Sequence, residues 1–385
     1  MRIGIIGAGH AGIEAALAAR NAGAEAVLFS AEPVLPYFRP RLVGVAMGIT
    51  APEAIAFHPA AWYQDRGIDL HMGAPVTALD VAARTVIANG GTERFDAMVL
   101  ACGATPRMAP VCCTTPGSPI FTLWSMADAL QIRQRVRPGA RLVMIGGSSL
   151  GVESALTACG QQVQVTIVEG LPRLFPQLLG SGAAVFLRQQ LESRAIVVRT
   201  GHAVASLAPH GDGVRVELAG GAICEAELAM ICIGARSNLE LAQQAGLATA
   251  QGVCTDDCLQ AAEGVFVAGD VCQAAGRLPR GAVREAMAQG RMVGANAVAF
   301  ATGGQLQAFV PMQSPMTLRA AGVEIVAIGQ ASGLVEERLP DGAAGTYRAV
   351  TRHTDGSLAG VQMIGTREGF DELAAQIGGL RVCRT

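Results

Sequence analysis

The chain contains no lysine: all 29 of its basic residues are arginine. That absence excludes Schiff-base and P-loop lysine chemistry and leaves Arg as the only permanent side-chain cation for binding anions. The abundance of Ala, Gly and Arg fits the base composition of a genome as well as any chemistry. No apolar run approaches the ~18 to 20 residues of a membrane span, and glycines interrupt the apolar N-terminus, so neither a transmembrane segment nor a secretory leader is expected. The net charge of −2 carries no basic block, so neither nucleic acid nor an anionic membrane is favoured as a partner. Ten cysteines form no C-x-x-C pair, which makes zinc or any other metal site unexpected. Cys102 and Cys232 lie in apolar runs, where a thiol behaves as a small hydrophobe, and vicinal Cys112 and Cys113 read as an incidental loop pair. Thiols that stay free suit a reducing cytoplasm.

What is present is a repeated turn. The 385 residues, 51% of them hydrophobic, suffice for two or three domains. The apolar run Arg2 to Ile6 reads as a strand buried on both faces, and Gly7-Ala8-Gly9-His10-Ala11-Gly12 then opens an alanine-rich helix. In such a turn Gly7 permits the tight bend, Gly9 lets the backbone approach a pyrophosphate, and Gly12 lets helix and strand pack closely. A second strand, Glu25 to Ser30, delivers Glu32, whose carboxylate can accept hydrogen bonds from ribose hydroxyls.

The pattern recurs from Arg141 to Ile145, through Gly146-Gly147-Ser148-Ser149-Leu150-Gly151, to a strand over Val163 to Val168 that ends at Glu169. An acid there suits NAD(H) over NADP(H), because it repels a 2′-phosphate; Arg173 nearby blurs that preference. Ser148 stands where the middle glycine belongs, so crowding of the pyrophosphate is expected. Farther on, Gly264 to Asp270 reads as a strand ending in Gly269-Asp270, where a carboxylate can accept a hydrogen bond from a ribityl hydroxyl.

These motifs, with Pro36 to Leu42, Asp96 to Gly103 and Gly146 to Glu153, resemble the FAD-dependent pyridine nucleotide oxidoreductases. Within them, Pro36 to Leu42, His58 to Tyr63 and Ile120 to Ser125 look most like NADH:rubredoxin reductases and nitrite reductase diaphorase domains. Pro315 to Ile325 and Gly356 to Gly365 resemble the small C-terminal domain of that group.

The resemblance implies an α/β fold: two nested Rossmann-like, three-layer domains for FAD and NAD, and a small α+β C-terminal domain. FAD is expected on residues 1–105 and 237–305, NAD(H) on 106–236, with 306–385 as the C-terminal domain. By that likeness Arg39 and Pro40 lie along the FAD pyrophosphate and flavin, Ala101 and Gly103 cross beneath the nucleotide, and Arg107 supports the same site. Gly269 and Asp270 hold the ribityl chain. The helix opening at Ala282 and Val283 points its positive end at the flavin. Gly146, Gly147, Gly151 and Glu169 hold NAD(H), and Glu153 is the one catalytic candidate, in the nicotinamide region.

Departures narrow the reading. No cysteine lies between Tyr37 and Gly48, which disfavours disulfide reduction and weakens a thiol-based peroxidase or oxidase. Related ferredoxin reductases often carry a lysine near the position of Gly44, paired with the acid matching Glu153, and here that cation is missing. The expected activity is electron transfer from NADH through FAD to a small redox protein such as rubredoxin, steered by Arg277, Arg280 and Arg284 if the acceptor is acidic. An NADH oxidase using oxygen directly, and a flavin-binding sensor or interaction subunit with a weakened NAD site, remain alternatives. A homodimer is open.

Overall fold

The strand Arg2–Ile6 has Ile3 and Ile5 fully buried at the centre of a sheet, as its unbroken apolar character requires. In this computed structural model, which describes residues 1–109, 111–112, 117–279, 281–311, 313–340 and 343–377, that strand pairs in parallel with Glu25–Phe29 and Ala97–Leu100. Cys113, Arg280 and Cys383 lie outside the described residues. The chain divides into two compact units, the first Met1–Pro40, Pro52–Thr105 and Ala235–Pro311, the second Arg41–Ala51, Pro106–Gly234 and Met312–Thr385.

In the first unit the sheet order is Gln260–Ala262, Val265–Val267, Ala97–Leu100, Arg2–Ile6, Glu25–Phe29, Ile68–His71, parallel except at its first strand. Helix His10–Asn21 follows the first strand and packs on helix Val283–Ala301. The two backbones approach closely because both surfaces are small: a Cβ on Gly290 would strike the backbone of Ala11, and one on Gly294 that of Ala15. Beside them Arg291 pairs with Glu14 at 3.1 Å. A three-stranded antiparallel meander, Val76–Asp80, Thr85–Ala88 and Gly91–Arg94, is inserted ahead of Ala97–Leu100.

In the second unit a five-stranded parallel sheet runs Val197–Thr200, Gln164–Glu169, Arg141–Ile145, Leu228–Ile231, Ile120–Phe121. Helix Ser149–Gly160 follows Arg141–Ile145 as His10–Asn21 follows Arg2–Ile6. Helix Met126–Arg133 opens on a reciprocal cap, Ser125 accepting from the Asp128 amide while the Asp128 carboxylate accepts from that of Ser125. The C-terminal segment forms an antiparallel sheet ordered Met316–Ala320, Val323–Gly329, Leu358–Ile364, Tyr347–Arg352, Val335–Arg338, with short helix Phe370–Ala374 against it. This sheet caps helix Ser181–Glu192: Glu336 accepts from the amides of Gly182 (2.7 Å) and Ala183 (3.0 Å), and buried Gln362 from that of Gly180 (2.6 Å). Four orphan amides at a helix start need such acceptors, which is why the C-terminal sheet joins the second unit.

Candidate functional site

Each glycine of the first turn answers a separate demand. Gly7, at φ 110°, donates its N–H to the Phe29 carbonyl at 2.9 Å, and a Cβ there would strike the Ala101 carbonyl. A Cβ on Gly12 would meet the Gly7 carbonyl, whereas one on Gly9 would meet nothing within 4 Å. Gly7 and Gly12 are thus fixed by packing, while Gly9 leaves open space beside a helix N-terminus, the position an anion takes. Ala101 donates to the Ile6 carbonyl (2.8 Å), and the carbonyls of Cys102 and Gly103 accept from the side chain and backbone of Asn238 at 2.8 and 3.0 Å.

The second turn repeats that construction. Gly146 also has φ 110°, donates to the Val168 carbonyl at 2.8 Å, and is held under the Cys232 carbonyl; Gly151 lies on the Gly146 carbonyl. The Ser148 hydroxyl donates to that same Cys232 carbonyl at 2.8 Å, so the side chain expected to crowd a pyrophosphate is tied to the protein. Glu169 accepts from the Gly147 amide (2.7 Å) through one oxygen and from Leu171 (2.8 Å) through the other. The Arg173 guanidinium is committed to the carbonyls of Leu179 and Pro176 at 3.2 and 3.0 Å.

Around the first turn the charged groups form one cluster. Glu32 takes hydrogen bonds from the Tyr37 hydroxyl (2.7 Å to one oxygen) and from Arg39 (3.0 Å), and Arg39 lies over the Tyr37 ring. Pro40 follows in a short turn, exposed. Asp270, half buried, is raised from the usual carboxylate range because burial outweighs the field of Arg39. Gly269, at φ 78°, donates to Gln289 at 2.7 Å. A small cavity joins Gly269 and Asp270 to Gly281, Ala282 and Glu285, where helix Val283–Ala301 begins. Glu285 places a carboxylate in that first turn.

Arg107 falls in the second unit, exposed, its amide donating to the Gly234 carbonyl at 2.9 Å. Glu153 lies one turn into helix Ser149–Gly160, and burial pushes its carboxyl up to about 7. The sequence pattern passed over His10, a variable position of the glycine motif. Its ring meets Phe57 (centroids 4.9 Å apart) and Phe38 (5.7 Å), Nε2 is buried without a partner among the described residues, and burial with Arg39 lowers it to about 4. Its signal was a histidine following a glycine that must face a ligand.

The family model described as pyridine nucleotide-disulphide oxidoreductase matches residues 1–299. The chain belongs to that family. The ferredoxin reductase component of chlorobenzene dioxygenase from Cupriavidus sp. (strain PS12) is 36% identical over 275 residues, 70% of this chain and 66% of that protein, just under two thirds of its length. Rubredoxin-NAD(+) reductase of Pseudomonas putida is 32% identical over 276 residues, 70% of this chain and 71% of the relative. In structure, the ferredoxin reductase for the CYP199A2 system from Rhodopseudomonas palustris superposes with a TM-score of 0.85 at 25% identity, covering 94% of this chain and 91% of the other. This family member is an FAD-dependent oxidoreductase of α/β fold whose cofactors are FAD and NAD(H). The residues present fit both groups. The first unit has open space at Gly9 and the acid Glu32 after the next strand; the second has the Ser148 hydroxyl drawn onto the Cys232 carbonyl and the acid Glu169 at the next strand end. Among the described residues, no helix is long and apolar enough to cross a membrane, and no group of three or more His, Cys, Asp or Glu could hold a metal.

Proposed function

We infer that this chain carries electrons from NADH through FAD to a small soluble redox protein of the rubredoxin or ferredoxin kind. The observation behind this reading is the duplicated turn, one copy in each unit, with Gly7 and Gly146 at the same φ and each under a carbonyl of the neighbouring strand end. The reductases among its relatives point the same way.

Bound FAD supplies the redox chemistry, taking a hydride and releasing electrons singly. The protein's residues bind and orient. In this reading the domains are 1–105 with 237–305 for FAD, 106–236 for NAD(H), and 306–385 as an added sheet. Gly7, Gly9 and Gly12 receive the FAD pyrophosphate, Glu32 its ribose, and Gly269 and Asp270 the ribityl chain, with Arg39, Pro40, Ala101, Gly103 and Arg107 as further contacts. The half-buried Asp270 carboxylate is positioned to accept from a hydroxyl. Ala282 and Val283 bring helix amides toward the flavin, where negative charge grows on reduction. Gly146, Gly147, Gly151 and Glu169 receive NAD(H), with the 2′-phosphate of NADP(H) repelled by Glu169 while Arg173 is tied to carbonyls.

Exposed Leu278 next to exposed Arg277, with Arg284 exposed in the first turn of the helix that follows, offers apolar and basic groups to an acidic acceptor. The free cysteines among the described residues agree with a cytoplasmic location. Steady-state assays with NADH and, in turn, rubredoxin, a [2Fe–2S] ferredoxin and oxygen test the acceptor. Turnover at least tenfold faster with an iron–sulfur or rubredoxin acceptor supports this reading; equal or faster turnover with oxygen alone makes the chain an oxidase.

A further inference from the structure

Gln289 and Asn296 are the polar side chains that helix Val283–Ala301 buries. Asn296 is taken up by structure: it donates to the carbonyls of Cys258 and Gln307 and accepts from the Gln307 amide. Gln289, only 4% exposed, instead lines the cavity it shares with Gly269, Asp270 and Ala282, and its Oε1 accepts from the Gly269 amide at 2.7 Å. That amide belongs to a turn with little freedom. Gly269 has φ 78°, and a Cβ on it would come within 3.1 Å of the Ala11 Cβ. Gly290, the next residue after Gln289, is pressed onto the backbone of the same Ala11. The first glycine turn, the Gly269–Asp270 turn and the helix therefore meet at one point, and Gln289 is the hydrogen bond that ties the second to the third. On its other side the Asp270 carbonyl accepts from the Ser237 hydroxyl at 2.6 Å. The Asp270 carboxylate itself makes no hydrogen bond or ion pair among the described residues. Its aim is set by the backbone beneath it.

A buried amide that loses its acceptor turns its peptide plane or draws in water, and a functional side chain on that peptide moves with it. We propose that Gln289 is a positioning residue of the FAD site: by holding the Gly269 amide it fixes the backbone that aims Asp270 at the ribityl chain. Gly290 beside it sets the distance from that acid to the pyrophosphate turn, so two adjacent helix positions hold the two halves of the site in register. This rests on the assignment of Asp270 to the ribityl chain.

The test compares FAD with ADP on the full-length apoprotein. FAD binding is read by the change in flavin fluorescence and ADP by its displacement of FAD, so that only the first site is counted. ADP has no ribityl chain and reports the first turn and Glu32 alone. Gln289→Leu is expected to raise the Kd of FAD about tenfold, the effect of one buried amide left without its acceptor, while the ADP inhibition constant changes by less than about twofold. Gln289→Asn, whose amide falls one methylene short, gives the same FAD-selective loss without adding an apolar side chain. Gln289→Glu keeps an oxygen at the same reach and recovers most of the affinity. In an Asp270→Ala background, Gln289→Leu adds less than about twofold, because the group it positions is gone. Equal weakening of FAD and ADP overturns the proposal, and so does a loss that persists in full without Asp270. In both cases Asp270→Ala alone still weakens FAD, and the ribityl assignment stands. An Asp270→Ala variant that binds FAD as tightly as the wild type overturns that assignment and the proposal together.

Discussion

The amide of Gly147 is held by the Glu169 carboxylate at 2.7 Å, so the acid that closes the second nucleotide strand also braces the turn before the helix. Its second oxygen holds Leu171. The acid has two tasks at one position: it shapes the turn, and its charge discriminates against a second phosphate.

Replacing Glu169 with Ala therefore strips two amides of their acceptor. The expected cost is about 1 to 3 kcal/mol in thermal or urea unfolding, with weakened NADH affinity and a smaller preference over NADPH. Isothermal binding of both nucleotides checks this; an unchanged preference shows that the charge plays no selective part.

Gly290→Val drives a branched side chain into the Ala11 backbone, in the turn assigned to FAD. Destabilisation of about 3 kcal/mol and loss of flavin during gel filtration are expected. Retention of full flavin content at wild-type Tm contradicts the packing argument.

Arg39→Ala removes the cation from Glu32 and from the field around Asp270. The pair is partly exposed, so stability falls by less than about 1 kcal/mol. Flavin affinity falls more, because Glu32 loses the group that orients it; fluorescence titration of the apoprotein with FAD separates the two effects.

Two groups give the stability profile opposing slopes. Glu153, raised to about 7, favours the folded state fully below the ordinary glutamate range and loses that contribution as pH rises toward 7. His10, lowered to about 4, contributes stability above its ordinary value near 6.5 that is lost as pH falls toward 4. Glu153→Gln is thus expected to show stability rising with pH between 4.5 and 6.5 more steeply than the wild type does, and His10→Phe less steeply. Urea unfolding across that range reads both slopes.

Much of this was legible in the sequence because the demands are local. Strand, glycine turn, helix and acid follow one another within about thirty residues in each copy, and φ at Gly7 and Gly146 can hardly be met by another residue type. Side-chain partners chosen across long sequence separations were not legible. That Ser148 bonds the Cys232 carbonyl, 84 positions away, is invisible to a motif that records only a missing glycine. The Arg39–Glu32 pair is local, seven positions apart, and was missed for another reason: the family likeness names Arg39 only as a cofactor contact and says nothing of its partner in the protein. His10 gave no periodic signal, since its environment comes from Phe38 and Phe57 on a separate segment. The attachment of the C-terminal sheet depends on Glu336 finding amides some 150 positions earlier.

The central claim is that two turns of one design bind two cofactors that exchange electrons. It is tested most directly by anaerobic stopped-flow mixing of the purified holoprotein with NADH or NADPH, following the flavin's visible absorbance. The account predicts rapid bleaching by NADH and at least tenfold slower bleaching by NADPH. A flavin that stays oxidised in excess NADH contradicts it and leaves the second turn as a structural repeat without a nucleotide.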